Sequence, residues 1–188
     1  MLIVLLNGPP RCGKDTLAKS LRALGTWKNK TVLQQFFKFA SELKRRTHAL
    51  YGLDVPEDHY ENVKDLPHSD FMGLTPRKAY IEVSENHFKR LHGQDVFGQI
   101  LAKVLAPHSN MPNHVVAISD SGFVPEAAVL VNKFGAANIL LVRIERPGTS
   151  FVGDSRNYIS LDGVRTIDVM NDATDAPMRI AKQIMEAL

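Results

Sequence analysis

An α/β fold, with a mostly parallel sheet and helices on both faces, is what the 188-residue sequence predicts, on three observations. The chain opens on a continuous apolar run, Leu2-Ile3-Val4-Leu5-Leu6, the pattern of a strand buried on both faces of a parallel sheet. That run passes through a glycine-rich turn straight into an amphipathic segment. The second half then alternates apolar strand patterns with helical ones, as parallel strands joined by crossover helices require.

In chain order, residues 15–24 read as a helix, because Leu17, Ala18, Leu21 and Leu24 recur at helical spacing and Gly25 stops it. A second strand is expected at 32–36, then a helix at 41–51 capped by Ser41 and ended by Gly52. Between 54 and 73, Pro56 and Pro67 interrupt any periodicity, which predicts an irregular excursion within the domain. Thr75-Pro76 is a helix start, with Thr as cap and Pro at the first helical position. Helical pattern follows to Ala106, broken near Gly93. Strands at 115–118, 139–144 and 166–170 alternate with helices at 125–134 and 176–188, and a loop spans 146–163. There is no repeat or low-complexity tract.

The length suits one domain, with a core from 1–36 and 112–188, a helical insertion at 37–111 and a lid-like loop at 146–163. The net charge is +3, and only Lys44-Arg45-Arg46 are adjacent cations. That trio predicts a solvated helix face, with a basic rim around a polyanionic ligand as the competing assignment; no nucleic-acid partner is expected. The single cysteine, Cys12, excludes an intrachain disulfide and implies a reducing compartment. The opening apolar run is too short for a membrane span or a signal sequence, so a cytoplasmic protein without membrane partners is expected. A homodimer is left open.

The chemistry concentrates in GPPRCGKDT, at 8–16, which nearly matches the phosphate-cradling pattern G-x-x-x-x-G-K-[ST]. A glycine-rich turn between a buried strand and a helix aims successive backbone N–H groups at an anion, and the helix N-terminus adds positive partial charge. Gly8 and Gly13 permit the close turn, and Lys14 reaches toward the β- and γ-phosphates. Gly8, Arg11, Cys12, Gly13, Lys14, Asp15 and Thr16 therefore form the expected cofactor-binding set, with ATP as cofactor. Asp15 stands where a hydroxyl is usual. A carboxylate there suits Mg²⁺, a hard cation; a plain helix-start charge is the alternative. Thr16 offers its hydroxyl and N–H to the α-phosphate, and Cys12 its backbone amide.

The Gly-Lys-Asp-Thr variant resembles the loop of the deoxynucleoside monophosphate kinases of tailed bacteriophages, within the P-loop nucleoside monophosphate kinase superfamily. Phe39-Ala40-Ser41-Glu42-Leu43-Lys44 with Leu50-Tyr51-Gly52, Arg77, and Gly93-Gln94-Asp95 resemble further segments in the same order. So do Ser119-Asp120 through Glu126-Ala127, Arg143 to Gly148, and Val169-Met170-Asn171-Asp172. The resemblance implies a three-layer P-loop fold, a substrate-binding helical insertion, and transfer of phosphate from ATP to a deoxynucleoside monophosphate in the host cytoplasm. One departure stands out. The family tends to carry Asp-x-Arg where this chain has Asp120-Ser121-Gly122, so an arginine expected near the acceptor phosphate is missing. A kinase of another small phosphate acceptor, or a nucleotide-binding regulator without transfer, are the competing readings.

Phosphoryl transfer needs a cradle, a metal, cations on the moving group and an acceptor pocket. Asp120 ends an apolar strand, where open α/β sheets place ligands, and is the second expected metal carboxylate; turn formation is its alternative. Arg146, in the Arg-Pro-Gly turn, is expected to act on the transferring phosphoryl group as part of a lid that also carries Arg143 and Arg156. Asn171 is expected to edge the adenine or cap the last helix. For the acceptor, the insertion supplies Lys44, Arg77 and Arg90 as cations, with Arg77 first choice for the phosphate. Tyr51 and Phe71 are candidates for stacking on its base, with plain core as the competing assignment.

Overall fold

The computed structural model describes residues 1–188. A six-stranded sheet runs β2-β3-β4-β1-β5-β6, parallel throughout except for the β2–β3 pair. Its strands are β1 (Leu2–Asn7), β2 (Thr26–Trp27), β3 (Lys30–Val32), β4 (His114–Ser121), β5 (Ile139–Glu145) and β6 (Arg165–Met170). The helices are α1 (Lys14–Leu24), α2 (Ala40–Leu50), α3 (Pro76–Val83), α4 (Arg90–His92), α5 (Val96–Leu105), α6 (Val124–Phe134) and α7 (Ala176–Ala187). No helix is long and apolar enough to cross a membrane.

The central position of β1 explains its unbroken apolar sequence. It pairs with β4 on one side and β5 on the other, and Ile3, Val4, Leu5 and Leu6 are fully buried. Ile3 and Leu5 enter one cluster with Leu43 of α2, Leu101 of α5 and Leu130 of α6. Val4 and Leu6, pointing the other way, enter a second with Leu17 and Leu21 of α1 and Ile180 and Ile184 of α7. Each such side chain, taken fully out of water, contributes about 1.5–3 kcal/mol.

Most elements stand where the pattern puts them, including the Thr75 cap, whose hydroxyl accepts from the Lys78 N–H at 3.2 Å. Two do not. The strand expected at 32–36 is instead a short hairpin, β2–β3, followed by a single parallel bridge between Phe37 and Ile118. After Leu33, whose N–H still donates to the Val115 carbonyl at 2.9 Å, the chain turns toward helix α1 at Gln34: Arg22 donates to its carbonyl and its own amide donates to the Arg22 carbonyl. The Arg22 guanidinium also covers the Phe36 ring at 3.0 Å. Ser41, expected as a cap, lies inside α2 and is buried, its hydroxyl bonded to Glu57 at 2.8 Å.

Between β3 and β4 the chain carries α2 to α5 and a long irregular stretch. Tyr60, Phe71 and Ala79 form a small apolar cluster of their own there. Residues Ser84–Lys89 are π-helical, a distortion that turns Ser84, Phe88 and Lys89 inward.

Candidate functional site

The loop joining β1 to α1 is built around close approaches that only glycine permits. A Cβ at Gly8 would lie 2.6 Å from the Ile144 carbonyl and 2.7 Å from the Cys12 sulfur. Gly13 has φ 101°, and a Cβ there would run into the side-chain amide of Asn171. The backbone N–H groups of Gly13, Asp15 and Thr16 have no protein acceptor, and that of Lys14 meets only the Cys12 sulfur. Such donors in a row at a helix start make an anion cradle. Lys14 lies along its rim, donating to the carbonyls of Gly8 and Pro9 at 2.7 Å each. Burial lowers the Lys14 pKa, partly offset by the Cys12 sulfur, while Arg156 lowers it further. Thr16 is exposed and its hydroxyl unbonded. Burial pushes the Cys12 thiol up, so it serves as packing beneath the loop.

Asn171 clamps this loop from behind. It is 8% exposed, and its side-chain amide donates to the Cys12 carbonyl at 2.7 Å. It neither caps α7, which starts at Ala176, nor offers that amide to an adenine. The loop's curvature thus depends on a residue at the end of β6.

Asp15 faces the end of β4. Its Oδ1 accepts from Lys38 Nζ at 2.8 Å and from Ser119 Oγ at 2.7 Å. Burial raises its pKa, but the bonds from Lys38 and Ser119 outweigh that and leave it below the usual carboxylate value. Lys38 reaches it because the Phe37 bridge carries the chain to the same edge of the sheet. Asp120 has a different role from the one expected of a free metal carboxylate. Its two oxygens accept the Phe39 and Ala40 N–H groups, 2.9 Å each, so it caps α2 from across the sheet. Burial pushes this carboxyl up, opposed by those two N–H groups.

The 146–163 loop brings two arginines to the cradle. Arg146 donates to the Arg11 carbonyl at 3.3 Å. Arg156 is gripped by Asp154, with Nη2 and Nε at 2.6 and 2.8 Å, which raises its pKa, and its charge acts on Lys14, Asp120 and Cys12. The fully buried Asn7 fixes the next residues: its amide donates to the carbonyls of Ser121 (2.9 Å) and Asn157 (3.1 Å) and its oxygen accepts from the Ile159 N–H (3.1 Å). Arg143 is not part of this group. It pairs across the sheet with Asp168 at 2.6 and 2.8 Å. A cavity of 370 Å³ beside the loop is lined by Arg146, Pro147, Gly148, Tyr158 and Met170 among others.

The expected acceptor residues divide. Lys44 pairs with Glu61 at 2.8 Å, and Lys64 binds the same carboxylate. Burial alone would raise Glu61, but the two lysines hold it down to about 2. Glu61 in turn acts on Asp15 and Lys38, so this cluster adjoins the cradle. The rest of the basic trio is also paired, Arg45 with Glu42 and Glu57, Arg46 with Glu42. Arg77 is bound to Asp65 at 2.6 Å and its charge acts on Asp154, which places it near Arg156. Arg90 is exposed without an ion-pair partner, and nothing joins it to the cradle. Tyr51 packs edge-on against the fully buried Phe71, ring centroids 5.0 Å apart, so both belong to the insertion's own core.

Sequence reasoning gave no role to Lys38, Ser119 or Asn7. Only Asn7 carried a local signal, as a polar residue ending an apolar strand before a glycine turn. No protein-family model matches the chain, and no curated protein matches it significantly in sequence.

Proposed function

We propose that this protein transfers the γ-phosphoryl group of ATP, with Mg²⁺, to a nucleoside monophosphate, foremost a deoxynucleotide, giving the diphosphate. The observation that carries this reading is the row of N–H groups at Gly13 to Thr16, none of them bonded to a protein oxygen, with four cations around it: Lys14, Lys38, Arg146 and Arg156. A polyphosphate is the ligand such an array matches in charge. The glycine spacing, the helices packed against alternate sides of β1 and the likeness to phage deoxynucleoside monophosphate kinases favour a three-layer P-loop fold in the cytoplasm.

The chemistry asks little of the protein beyond position and charge. An acceptor phosphate already carries anionic oxygens at neutral pH, so no strong general base is needed. Lys14 and the cradle hold the β- and γ-phosphates, while Arg146 and Arg156 balance charge on the moving group. Asp15 and Ser119 are hard oxygen donors beside the cradle and fit Mg²⁺, which keeps most of its shell for phosphate and water; when bound, it neutralises phosphate charge. Asp120, holding the start of α2, keeps Lys38 in place rather than taking the metal itself. The 370 Å³ cavity beside Arg146 is the natural seat of the adenine, and Arg77 with Lys44 marks the acceptor side.

A panel of ribo- and deoxynucleoside monophosphates, assayed with ATP and Mg²⁺, tests the reading. ADP should form steadily only when a monophosphate is present. Nucleotide binding without any acceptor-dependent ADP would leave a regulator, and the proposal would fall.

A further inference from the structure

Glu126 stands in the first turn of α6, behind Pro125, and only 4% of it is exposed. Helix α5 presses on it: a Cβ at Gly98 would lie 2.9 Å from the Glu126 Cα, so only glycine lets the two helices meet there. Its carboxyl makes no hydrogen bond to any protein group. The charged groups that act on it are Asp120 at the end of β4, and Lys89 and Glu85 from the π-helical segment. Lys89 is already committed. Its side chain is 6% exposed, it donates to Glu85 at 2.8 Å, and it lies 4.5 Å from the centre of the Phe123 ring.

A favourable helix-start charge needs no burial, and a packing residue needs no carboxyl, so neither role accounts for this side chain. The carboxyl has no protein partner yet is not among the side-chain atoms wholly cut off from solvent, so a group from outside the protein can reach it. The position is apt. Asp120 ends β4 and holds the Phe39 and Ala40 N–H groups next to Lys38, and its charge also acts on Glu126, so these groups lie on the β4 side of β1 while β6 lies on the other.

We propose that the Glu126 carboxyl is the hydrogen-bonding anchor for a donor group of the acceptor molecule remote from its phosphate, an N–H of the base or an O–H of the sugar. This rests on the phosphoryl-transfer reading above. Burial pushes the carboxyl up to about 8, with Asp120 and Glu85 adding to the rise and Lys89 opposing it. At neutral pH it therefore offers one acceptor and one donor, complementary to the paired donor and acceptor of a base edge.

The test is calorimetric binding to the intact protein without ATP. The ligands are dGMP, dCMP, dAMP, dTMP and the 2′,3′-dideoxy analogue of the tightest binder; the proteins are wild type, Glu126→Gln and Glu126→Leu. The Leu variant should bind the best ligand about tenfold or more weakly, with ATP affinity and thermal stability undiminished. If the anchor holds a base N–H, differences among the four bases should shrink in the variant. If it holds the sugar, the dideoxy penalty should vanish instead. A Leu variant that binds the panel as wild type does overturns the inference while leaving the kinase reading intact. Wild type that binds no monophosphate overturns both. Should the Leu protein not fold, Glu126→Ala carries the same comparison, while the isosteric Gln variant, which keeps one acceptor and one donor, should bind as wild type does; wild-type affinities equal across all five ligands reject the anchor outright.

Discussion

The side chain of Arg156 lies flat across Gly122, where a Cβ would sit 2.5 Å from its Cδ and 2.8 Å from its Cγ. On the proposed likeness to phage deoxynucleoside monophosphate kinases, Gly122 falls where that family tends to carry an arginine. Here the strand end is bare, and a guanidinium comes to the same spot from a loop 34 positions later, gripped by Asp154 and anchored through Asn7. Gly122→Ala should therefore act through Arg156. Arg156→Ala should lower kcat about a hundredfold, as loss of a charge-stabilising contact does, and Gly122→Ala about tenfold. The double variant should match Arg156→Ala alone, because the two residues share one contact. Multiplying effects would show that Gly122 works some other way.

Lys14 bonds only to loop carbonyls and the Cys12 sulfur, so Lys14→Ala should cost about 1 kcal/mol of stability or less. Turnover should fall by about two orders of magnitude or more, since the lost charge acts on the transition state. A kcat near wild type, measured on well-folded protein, would remove the phosphate-loop reading.

Lys38 holds the Asp15 oxygen that a metal would take on the proposed reading. Asp15→Ala should raise the Mg²⁺ concentration for half-maximal activity, and Asp15→Ser should largely restore it. Lys38→Met should do the reverse, lowering the Mg²⁺ requirement while reducing kcat. If none of these variants moves the Mg²⁺ titration, Asp15 is a helix-start charge and no more.

Asn171→Ala should loosen the cradle. It leaves the buried Cys12 carbonyl without its donor, at a cost of about 1–3 kcal/mol in urea unfolding. The KM for ATP should rise while the KM for the acceptor changes little, because the Asn171 side chain bonds only to the loop at 8–16. Equal increases would point to general destabilisation.

Glu126 gives a pH dependence of definite sign. Its folded pKa, about 8, lies above the ordinary glutamate value of 4.5, so between those values the native state holds a proton that the unfolded chain has lost. This contribution is complete below pH 4.5 and is lost as pH rises to about 8, by at most roughly 4–5 kcal/mol. Chemical denaturation of wild type and Glu126→Gln at pH 5.5 and 8 should show wild type losing more stability on the alkaline side. Parallel behaviour would mean the carboxyl is ionised at neutral pH.

The amino-acid sequence by itself determined the elements whose information is local. The apolar run Leu2 to Leu6, the glycines at 8 and 13, Lys14, and the Thr75-Pro76 helix start each act through neighbours within a few positions. Their geometry follows from backbone sterics and side-chain periodicity alone. It also determined the alternation that makes the sheet parallel. What only the tertiary structure decided is which distant groups meet at the cradle and which do not. The sequence leaves Tyr51 and Phe71 open between stacking on a base and plain core, and the insertion's need for a core of its own decides it, with Phe71 buried and Tyr51 packed against it. Asp120 looks like a metal ligand, but the parallel bridge at Phe37 brings the start of α2 within its reach. Lys38, Ser119, Arg156 and Asn171 stand 23 to 159 positions from the loop residues they serve. They meet because β4 and β5 flank β1 and β6 follows β5, and strand order is set by the packing of the whole sheet, which no short stretch of sequence encodes.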